Sequence, residues 1–305
     1  MPPATTPTSK LRLGTRGSPL ALWQARTTQA LLTAQHPDLE VELVIIKTSG
    51  DGDQSTPLDN LPHTGYFTQE LEGALLDDRI DLAVHSLKDL AAHTPEPFVL
   101  GAILARGSAR DALVLHPRYS RLSELPDEPV ILTGSVRRAR QLPGLFPGCR
   151  TRPVRGNIHT RIGKVASDGA DALVIAEAAL ERLNITGHPV VTLSVEEMVP
   201  APGQGAIALE ILAERSDLRK RLAPLESVIT RLATDMERQL AYLLEGGCSL
   251  PLGAHAYPDG DGMAFRTVFC PDGQAQPHFE QLKLPRDADP AQAAETMANR
   301  FRQFV

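Results

Sequence analysis

In the first two thirds of the sequence, short apolar runs alternate with segments whose apolar residues recur at helical spacing. Residues 11–15 form the first run and residues 19–35 the first helical segment, with Ser18 as a candidate N-cap and Pro19 in the first turn. Further runs of strand length lie at residues 40–47, 80–84, 98–105, 112–115, 130–133, 152–154, 172–176 and 190–195. Because such alternation is typical of α/β domains, it predicts mainly parallel sheets covered by helices on both faces.

The last third of the chain follows a different pattern. Residues 227–244 have the spacing of one long helix. Runs at 251–257, 263–269 and 278–283 then predict a meander of strands before a closing helix at 290–302. This order of elements predicts a small α+β domain, and 305 residues are enough for two or three domains in all.

The net charge of −6 argues against general binding of nucleic acid, and so does an aromatic content of 4%. The average conceals a local bias, because the segment from Arg137 to Arg161 contains seven Arg residues and no Asp or Glu. A guanidinium group binds carboxylate or phosphate through two parallel hydrogen bonds. The segment is therefore either a solvated basic surface or part of a site for an anionic ligand.

The cysteines and the apolar runs bear on the compartment. Three cysteines, at 149, 248 and 270, are too few and too scattered for a disulfide framework. The first ten residues are polar, and no apolar run approaches the length of a membrane span. We therefore expect a cytoplasmic protein without membrane contact. The nine histidines are dispersed and there is no Cys-x-x-Cys pair, so no metal site is expected.

Charged residues recur where predicted strands give way to helices. In open α/β sheets, ligands bind beyond the carboxyl ends of the strands, where the N-termini of helices also point. Four such joints, at residues 15–18, 84–89, 133–138 and 154–157, carry Arg16, Lys88, Asp89, Arg137, Arg138 and Arg155, with Arg161 one turn into the last helix. A single Arg at a joint is usually a surface residue, but several on one edge predict a ligand with many carboxylates or phosphates.

Two residues near these features are candidates for chemistry. Asp89 is the only acid at the four joints. It could cap a helix or pair with a neighbouring Arg, but a carboxylate among guanidinium groups is also expected to stay ionised and to stabilise a cation. Cys248 follows two glycines that end the long predicted helix. It is either a buried, inert cysteine or, because a Gly-Gly turn exposes its neighbours, an accessible thiol.

Six segments of this chain, in order, resemble the hydroxymethylbilane synthase (porphobilinogen deaminase) family. They are Thr15-Arg16-x-Ser18-Pro19-Leu20-Ala21-Leu22-Trp23-Gln24, Ala83-Val84-His85-Ser86-Leu87-Lys88-Asp89, Ser135-x-Arg137-Arg138, Arg155-Gly156-Asn157-x-x-Thr160-Arg161, Pro200-Ala201-x-Gly203-Gln204-Gly205-Ala206 and Glu245-Gly246-Gly247-Cys248. The resemblance covers the chain from about residue 11 to 255, and six motifs in register form a specific signal.

The resemblance implies a fold of three domains. Two α/β lobes with mainly parallel sheets, similar to those of periplasmic solute-binding proteins, would comprise residues 1–105 with 206–224 and residues 106–205. A C-terminal α+β domain, residues 225–305, would carry the cofactor cysteine. The resemblance also implies a monomer.

The same resemblance implies the chemistry. A dipyrromethane cofactor would be bound to Cys248 through a thioether, and four molecules of porphobilinogen would be added to it with loss of ammonia, giving hydroxymethylbilane. Asp89 would be the catalytic carboxylate. Substrate carboxylates would be bound by Arg16, Arg155, Arg161 and Arg182. The cofactor would be held by Ser18, Lys88, Thr133, Ser135, Arg137, Arg138 and Gln204. A chain of six rings carries twelve carboxylates, which matches the Arg-rich segment.

The sequence departs from the family pattern in the loop predicted at residues 48–65. Asn60, Thr64 and Gln69 stand where lysine is common. We therefore expect weaker substrate binding by this loop; a normal Michaelis constant that Thr64→Lys does not change would contradict this. Leu90, Ala91 and Ala92 also replace the usual segment after Asp89.

Two other classes of protein remain as alternatives. A solute-binding protein for a polycarboxylate would use the same two lobes without chemistry, although it is normally exported. A transferase or hydrolase with a cysteine nucleophile would need a base near Cys248. His255 is the nearby candidate, but its position predicts that it lies within a strand.

Overall fold

The computed structural model describes residues 9–48, 68–244, 250–271, 276–302 and 304. Cys248 and most of the loop predicted at residues 48–65, including Asn60 and Thr64, lie outside the described residues. Gln69 is described and begins a helix.

Within these ranges the chain alternates between strands and helices as the apolar pattern predicts. The strands are β1 (Ser9–Thr15), β2 (Leu39–Ile45), β3 (Leu82–Ser86), β4 (Phe98–Ile103), β5 (Asp111–Leu115), β6 (Val130–Leu132), β7 (Arg150–Arg152), β8 (Ala172–Ala176), β9 (Val190–Thr192), β10 (Ile207–Leu212), β11 (Leu252–Asp259), β12 (Gly262–Phe269) and β13 (His278–Pro285). The helices are α1 (Pro19–Gln35), α2 (Gln69–Leu76), α3 (Val136–Leu145), α4 (Ile158–Ser167), α5 (Glu177–Arg182), α6 (Ser216–Leu222), α7 (Val228–Leu243) and α8 (Pro290–Phe301).

The first sheet has the strand order β2-β1-β3-β10-β4. Strands β2, β1 and β3 are parallel, and β10 is antiparallel to both β3 and β4, so four of the five strands share one direction. Helices α1 and α6 cover one face around Leu13 and Leu32, and α2 covers the other around Leu71. Ser18 caps α1, because its Oγ accepts a hydrogen bond from the Ala21 N–H at 3.3 Å.

The second sheet repeats this arrangement with the order β7-β6-β8-β5-β9. Strands β7, β6 and β8 are parallel, and β5 is antiparallel to both of its neighbours. Helices α4 and α5 contribute to the core on one face, around Ile162 and Leu180, and α3 contributes Leu142 to the core on the other. The prediction of two α/β units with mainly parallel sheets is confirmed, with one antiparallel strand in each.

The chain crosses between the two sheets twice. The first crossing, residues 104–110, leads from β4 to β5, and the second, residues 193–206, leads from β9 to β10. The first crossing is hydrogen-bonded to the second and to the start of β10: the Gly107 N–H donates to the Gly205 carbonyl at 3.1 Å, and the Leu104 N–H donates to the Ile207 carbonyl at 3.0 Å. These paired crossings place the carboxyl ends of β3 and β6 close together.

The C-terminal part is α+β, as predicted. Strands β11, β12 and β13 form an antiparallel meander. Helices α7 and α8 pack against it around Met236, Leu240, Phe265 and Phe301, which are fully buried. Cys248 falls in sequence between α7 and β11. No helix in the described part of the chain is both long and apolar enough to cross a membrane.

Two strands differ from the sequence prediction. The apolar pattern does not single out β10, although it is buried along most of its length. The strand predicted at 152–154 lies instead at Arg150–Arg152. Its three side chains are exposed because it is an edge strand held by backbone pairing to β6, so it lacks the apolar signal on which the prediction depended.

Candidate active site

A cleft lies at the carboxyl end of β3, beside the N-terminus of α1. Its lining residues are Arg16, Ser18, Leu20, Ala21, Gln24, Thr68, Val84, His85, Ser86 and Asp89. Three residues predicted for the site, Arg16, Ser18 and Asp89, therefore share one cleft. The sequence analysis missed Gln24, whose Nε2 donates to Ser86 Oγ at 2.8 Å and so joins α1 to β3.

Asp89 ends a 3-10 turn, Leu87–Asp89, which directly follows β3. Leu87 and Leu90 are buried on either side of it, whereas Asp89 is exposed. The backbone N–H of Leu87 donates to the Ala206 carbonyl at 3.0 Å, which ties the turn to the second crossing. The turn thus holds the Asp89 carboxylate at the mouth of the cleft.

Arg137 and Arg138 converge on one buried carboxylate, Asp111, at the start of β5. Asp111 Oδ2 accepts from Arg137 Nη2 at 2.8 Å, and its Oδ1 accepts from Arg138 Nη2 at 2.7 Å and Nε at 3.1 Å. Burial raises the pKa of Asp111, but the charges of the two guanidinium groups more than offset this and hold that pKa far below its usual range. The carboxylate that pairs with Arg137 therefore lies 26 residues earlier in the chain. The sequence pattern did not predict this partner.

Arg137 is also buried against the second crossing. It is 4% exposed, and its Nη1 donates to the Val199 carbonyl at 2.7 Å. Burial is the main cause that lowers the pKa of Arg137, and Asp111 opposes this shift. The arrangement makes Arg137 a support for Asp111 and the second crossing.

Gln204 connects these residues to Lys88. Its Nε2 donates to Asp111 Oδ1 at 2.9 Å and to the Ala109 carbonyl at 2.7 Å. Its Oε1 accepts from Lys88 Nζ and from Arg138 Nη2, each at 3.3 Å. Gln204 is fully buried, so this amide fixes the position of Lys88 from the first sheet beside Arg138 from the second.

Lys88 has a strongly shifted pKa. Burial is the largest cause, and the charge of Arg138 acts in the same direction, while Asp89 and Asp111 oppose it. Together these effects lower the pKa of Lys88 from 10.5 to about 8. A carboxylate that binds beside this ammonium group stabilises its charged form, so these surroundings favour an anionic ligand.

Thr133 and Ser135 organise the N-terminus of α3. Ser135 Oγ caps the helix by accepting from the Arg138 N–H at 3.4 Å. Thr133 Oγ1, in turn, accepts from the Ser135 N–H at 3.1 Å. This end of the helix is a favourable place for an anion.

Arg155 and Arg161 lie at the N-terminus of α4. Asn157 caps this helix by accepting from the Thr160 N–H at 3.0 Å. Arg161 Nε donates to the Gly156 carbonyl at 2.6 Å. The Nε and Nη2 atoms of Arg155 are buried, and among the described residues they have no hydrogen-bond partner. Buried donors of this kind favour binding of an external acceptor.

The electrostatics bring this joint into the same site as Asp89. Burial is the main cause that lowers the pKa of Arg161, and the charges of Arg138 and Arg155 lower it further. Asp89 opposes the shift, although it belongs to the first sheet and Arg161 to the second. Asp89 and Arg161 therefore lie close enough to interact electrostatically across the junction of the two sheets.

Arg182 occupies a separate position, at the end of α5. Its Nη2 donates to the Gly205 carbonyl at 2.6 Å, and its guanidinium carbon lies 5.4 Å from the centroid of the Trp23 ring. The residue thus contacts α1 of the first sheet and the second crossing.

His255 lies within β11, as predicted, and is buried. Its Nδ1 is 3.3 Å from Glu237 Oε1, so the imidazole already has a carboxylate partner on α7. This pairing gives His255 a structural role that does not depend on a cysteine nucleophile.

Comparison with known proteins identifies the family. Of the solved structures, a probable amino-acid ABC transporter extracellular-binding protein from Bacillus subtilis matches 72% of this chain and 90% of its own at 9% identity, with a TM-score of 0.44. The porphobilinogen deaminase of Bordetella parapertussis is 41% identical over 279 residues, 91% of this chain and 88% of that one. That of Chromobacterium violaceum is 44% identical over 265 residues, 87% of this chain and 85% of that one. The family model described as "Porphobilinogen deaminase, dipyromethane cofactor binding domain" matches residues 11–220. The chain therefore belongs to the porphobilinogen deaminase family.

Proposed function

We propose that this chain is a transferase that joins four porphobilinogen molecules head to tail into hydroxymethylbilane. Each coupling releases one ammonia, and one water is consumed when the product leaves. One arrangement carries the proposal: the Asp89 carboxylate lies among cationic side chains of both sheets, with Arg16 in the same cleft and Lys88 and Arg161 close enough to interact with it. Relatives of 41–44% identity support the same reaction.

The residues of this site suit a dipyrromethane primer, whose rings carry acetate and propionate groups. The buried donor atoms of Arg155, which have no partner among the described residues, and the low pKa of Lys88 both favour a ligand with several carboxylates. When bound, the primer supplies the free pyrrole carbon to which the first substrate ring is joined. We propose that it is attached to Cys248 by a thioether. The side chains that hold it would be Ser18, Lys88, Thr133, Ser135, Arg137, Arg138 and Gln204.

These residues would act in two ways. Lys88 and Ser135 have donors at the junction of the sheets and would bind carboxylates directly. Arg137, Arg138 and Gln204 are buried on Asp111 and would act by holding the junction, and through Gln204 also Lys88, in place. Replacing a residue of the second group should therefore reduce stability as well as binding.

Asp89 would stabilise the cation that forms when the substrate loses its amino group. Loss of ammonia leaves a positive charge delocalised over the pyrrole ring, and a carboxylate that accepts a hydrogen bond from the ring N–H opposes that charge. Preorganised electrostatic stabilisation of this kind contributes about 3–4 kcal/mol to lowering a barrier. Arg16, Arg155, Arg161 and Arg182 would meanwhile bind the acetate and propionate groups of the substrate.

The proposed domains follow the sheets. Residues 1–105 with 206–224 would form the first lobe, which agrees with β10 pairing between β3 and β4. Residues 106–205 would form the second lobe and 225–305 the cofactor domain. That the chain is a cytoplasmic monomer and does not bind nucleic acid remains a prediction from its sequence.

Product stoichiometry tests the proposed function. The purified protein is incubated with porphobilinogen, and ammonia and hydroxymethylbilane are measured together. We expect four molecules of ammonia per molecule of hydroxymethylbilane. Binding of porphobilinogen without ammonia release would contradict the proposal and favour the alternative, a polycarboxylate-binding protein.

A further inference from the structure

Arg182 makes a contact that its predicted role in substrate binding does not require. It ends α5, which belongs to the second sheet, yet its guanidinium lies against the ring of Trp23 on α1, which belongs to the first. Trp23 is 36% exposed, so its ring presents a surface that the guanidinium covers only in part. A cation held over a tryptophan ring within about 6 Å of the centroid is attracted by the ring.

The same guanidinium is fixed a second time, by the paired crossings. Arg182 Nη2 donates to the Gly205 carbonyl at 2.6 Å, and this carbonyl also accepts from the Gly107 N–H at 3.1 Å. Gly205 has φ +86°, and a Cβ there would lie 2.5 Å from the Ser108 carbonyl oxygen, so the chain requires glycine at this position. The acceptor for Arg182 is therefore set by backbone geometry.

These two contacts use different parts of the guanidinium. The guanidinium carbon lies over the Trp23 ring, 5.4 Å from its centroid, and Gly205 accepts from one Nη2 proton. Among the described residues, Arg182 Nε and Nη1 carry no hydrogen bond that would compete with a ligand. A planar guanidinium held at these two points, with one edge free, can donate to a carboxylate in bidentate geometry.

We propose that Trp23 is a positioning residue for Arg182: it holds the guanidinium from the side of the first sheet so that its free edge meets a substrate carboxylate. The inference rests on the proposed function, because it takes Arg182 as a ligand of the substrate. It assigns Trp23 a role in binding a carboxylate that the aromatic ring itself does not touch.

A double-mutant cycle on the holoenzyme tests the role in binding. Trp23→Leu removes the ring face and should raise KM for porphobilinogen about two- to fivefold with kcat little changed, the range that a partly exposed cation–π contact supplies. Trp23→Phe keeps a ring face and should stay near wild type. In an Arg182→Gln background, Trp23→Leu should have little further effect, because the cation over the ring is gone. An equal effect of Trp23→Leu in both backgrounds would overturn the proposal.

A second measurement tests the contact without turnover. Trp23 is the single tryptophan of the chain, so intrinsic tryptophan emission reports on its surroundings. Arg182→Gln and Arg182→Lys should each change the emission of the substrate-free holoenzyme. Arg121→Gln, at an exposed Arg of the second lobe paired with Glu124, should not. Emission unchanged by both Arg182 variants would overturn the contact. A wild type without turnover would instead overturn the proposed function, and with it the binding role.

Discussion

Arg106 and Glu237 are joined by two hydrogen bonds, Nη1 to Oε1 at 2.7 Å and Nη2 to Oε2 at 3.1 Å. Arg106 lies in the first crossing, and Glu237 is fully buried on α7. The same carboxylate accepts from the Gly203 N–H of the second crossing at 2.7 Å and from the Ala256 N–H of β11 at 2.8 Å. One side chain thus ties both crossings to the C-terminal helix and sheet.

The charge of Glu237 makes this connection dependent on pH. Burial raises the pKa of Glu237, but Arg106 and His255 more than offset this, and its pKa falls from 4.5 to about 2. A carboxylate with a lowered folded-state pKa contributes stability that is complete above about pH 4.5 and is lost as the pH falls toward 2. We expect Glu237→Gln to lower the free energy of unfolding by about 3–5 kcal/mol at pH 7 and by less at pH 3.

Urea unfolding of both proteins between pH 7 and pH 3 measures this difference. Glu42→Gln is a suitable control, because its partner Lys10 is also exposed. The control should change the free energy of unfolding by less than about 1 kcal/mol. A difference for Glu237→Gln that is constant across the pH range would contradict the account.

Asp111 should be as important to stability as Glu237. Asp111→Asn leaves the guanidinium groups of Arg137 and Arg138 without their shared counter-charge, so we expect a loss of about 3–5 kcal/mol in the free energy of unfolding. Glu295→Gln breaks an ion pair to Arg302 whose side chains are both more than half exposed and should cost less than about 1 kcal/mol. Chemical unfolding at pH 7 compares the two, and similar losses would count against the buried cluster.

Uptake of the primer should weaken as Lys88 loses its charge. With a pKa of about 8, Lys88 is mainly protonated below pH 8 and mainly neutral above it. A carboxylate binds the protonated form, so the rate at which cofactor-free protein is activated by porphobilinogen should fall as the pH rises through 8. Lys88→Arg keeps its charge over this range and should remove that fall. If both proteins lose activation in parallel, Lys88 is not the group that titrates.

Asp89→Asn should abolish most of the turnover while leaving the primer in place. Removal of one electrostatic contact to a transition state typically costs a factor of about 10²–10³ in kcat. Asp89→Glu keeps the charge and should retain more activity than Asp89→Asn. Asp127→Asn, at an exposed residue of the second lobe, serves as the control. Steady-state kinetics on protein of verified mass measures the effect. A kcat within threefold of wild type for Asp89→Asn would show that another group stabilises the cation.

The features that the sequence predicted best are formed by residues that lie close together in the chain. The cap of α1 by Ser18 and that of α4 by Asn157 involve atoms three residues apart, so the residue types alone identify them. The joints that carry Arg16, Lys88 and Asp89 were found because an apolar strand, β1 or β3, precedes each one.

The sequence could not predict pairings between distant residues. Glu237 is 131 residues from Arg106, and Asp111 is 93 residues from Gln204. Nothing in the local pattern around these acids indicates a partner, because the partner is set by how the sheets and crossings pack. Asp111 begins an apolar strand. Only the contacts of its carboxylate in the structure show that it pairs with Arg137 and Arg138.

Intact mass of the purified protein, wild type beside Cys248→Ser, tests the central claim most directly. Cys248 lies outside the described residues, so the described contacts do not test the attachment of the primer, whereas intact mass does. The account predicts a wild-type mass higher by two deaminated porphobilinogen units and a Cys248→Ser mass without them. A wild-type protein that stays unmodified after incubation with porphobilinogen would contradict the account.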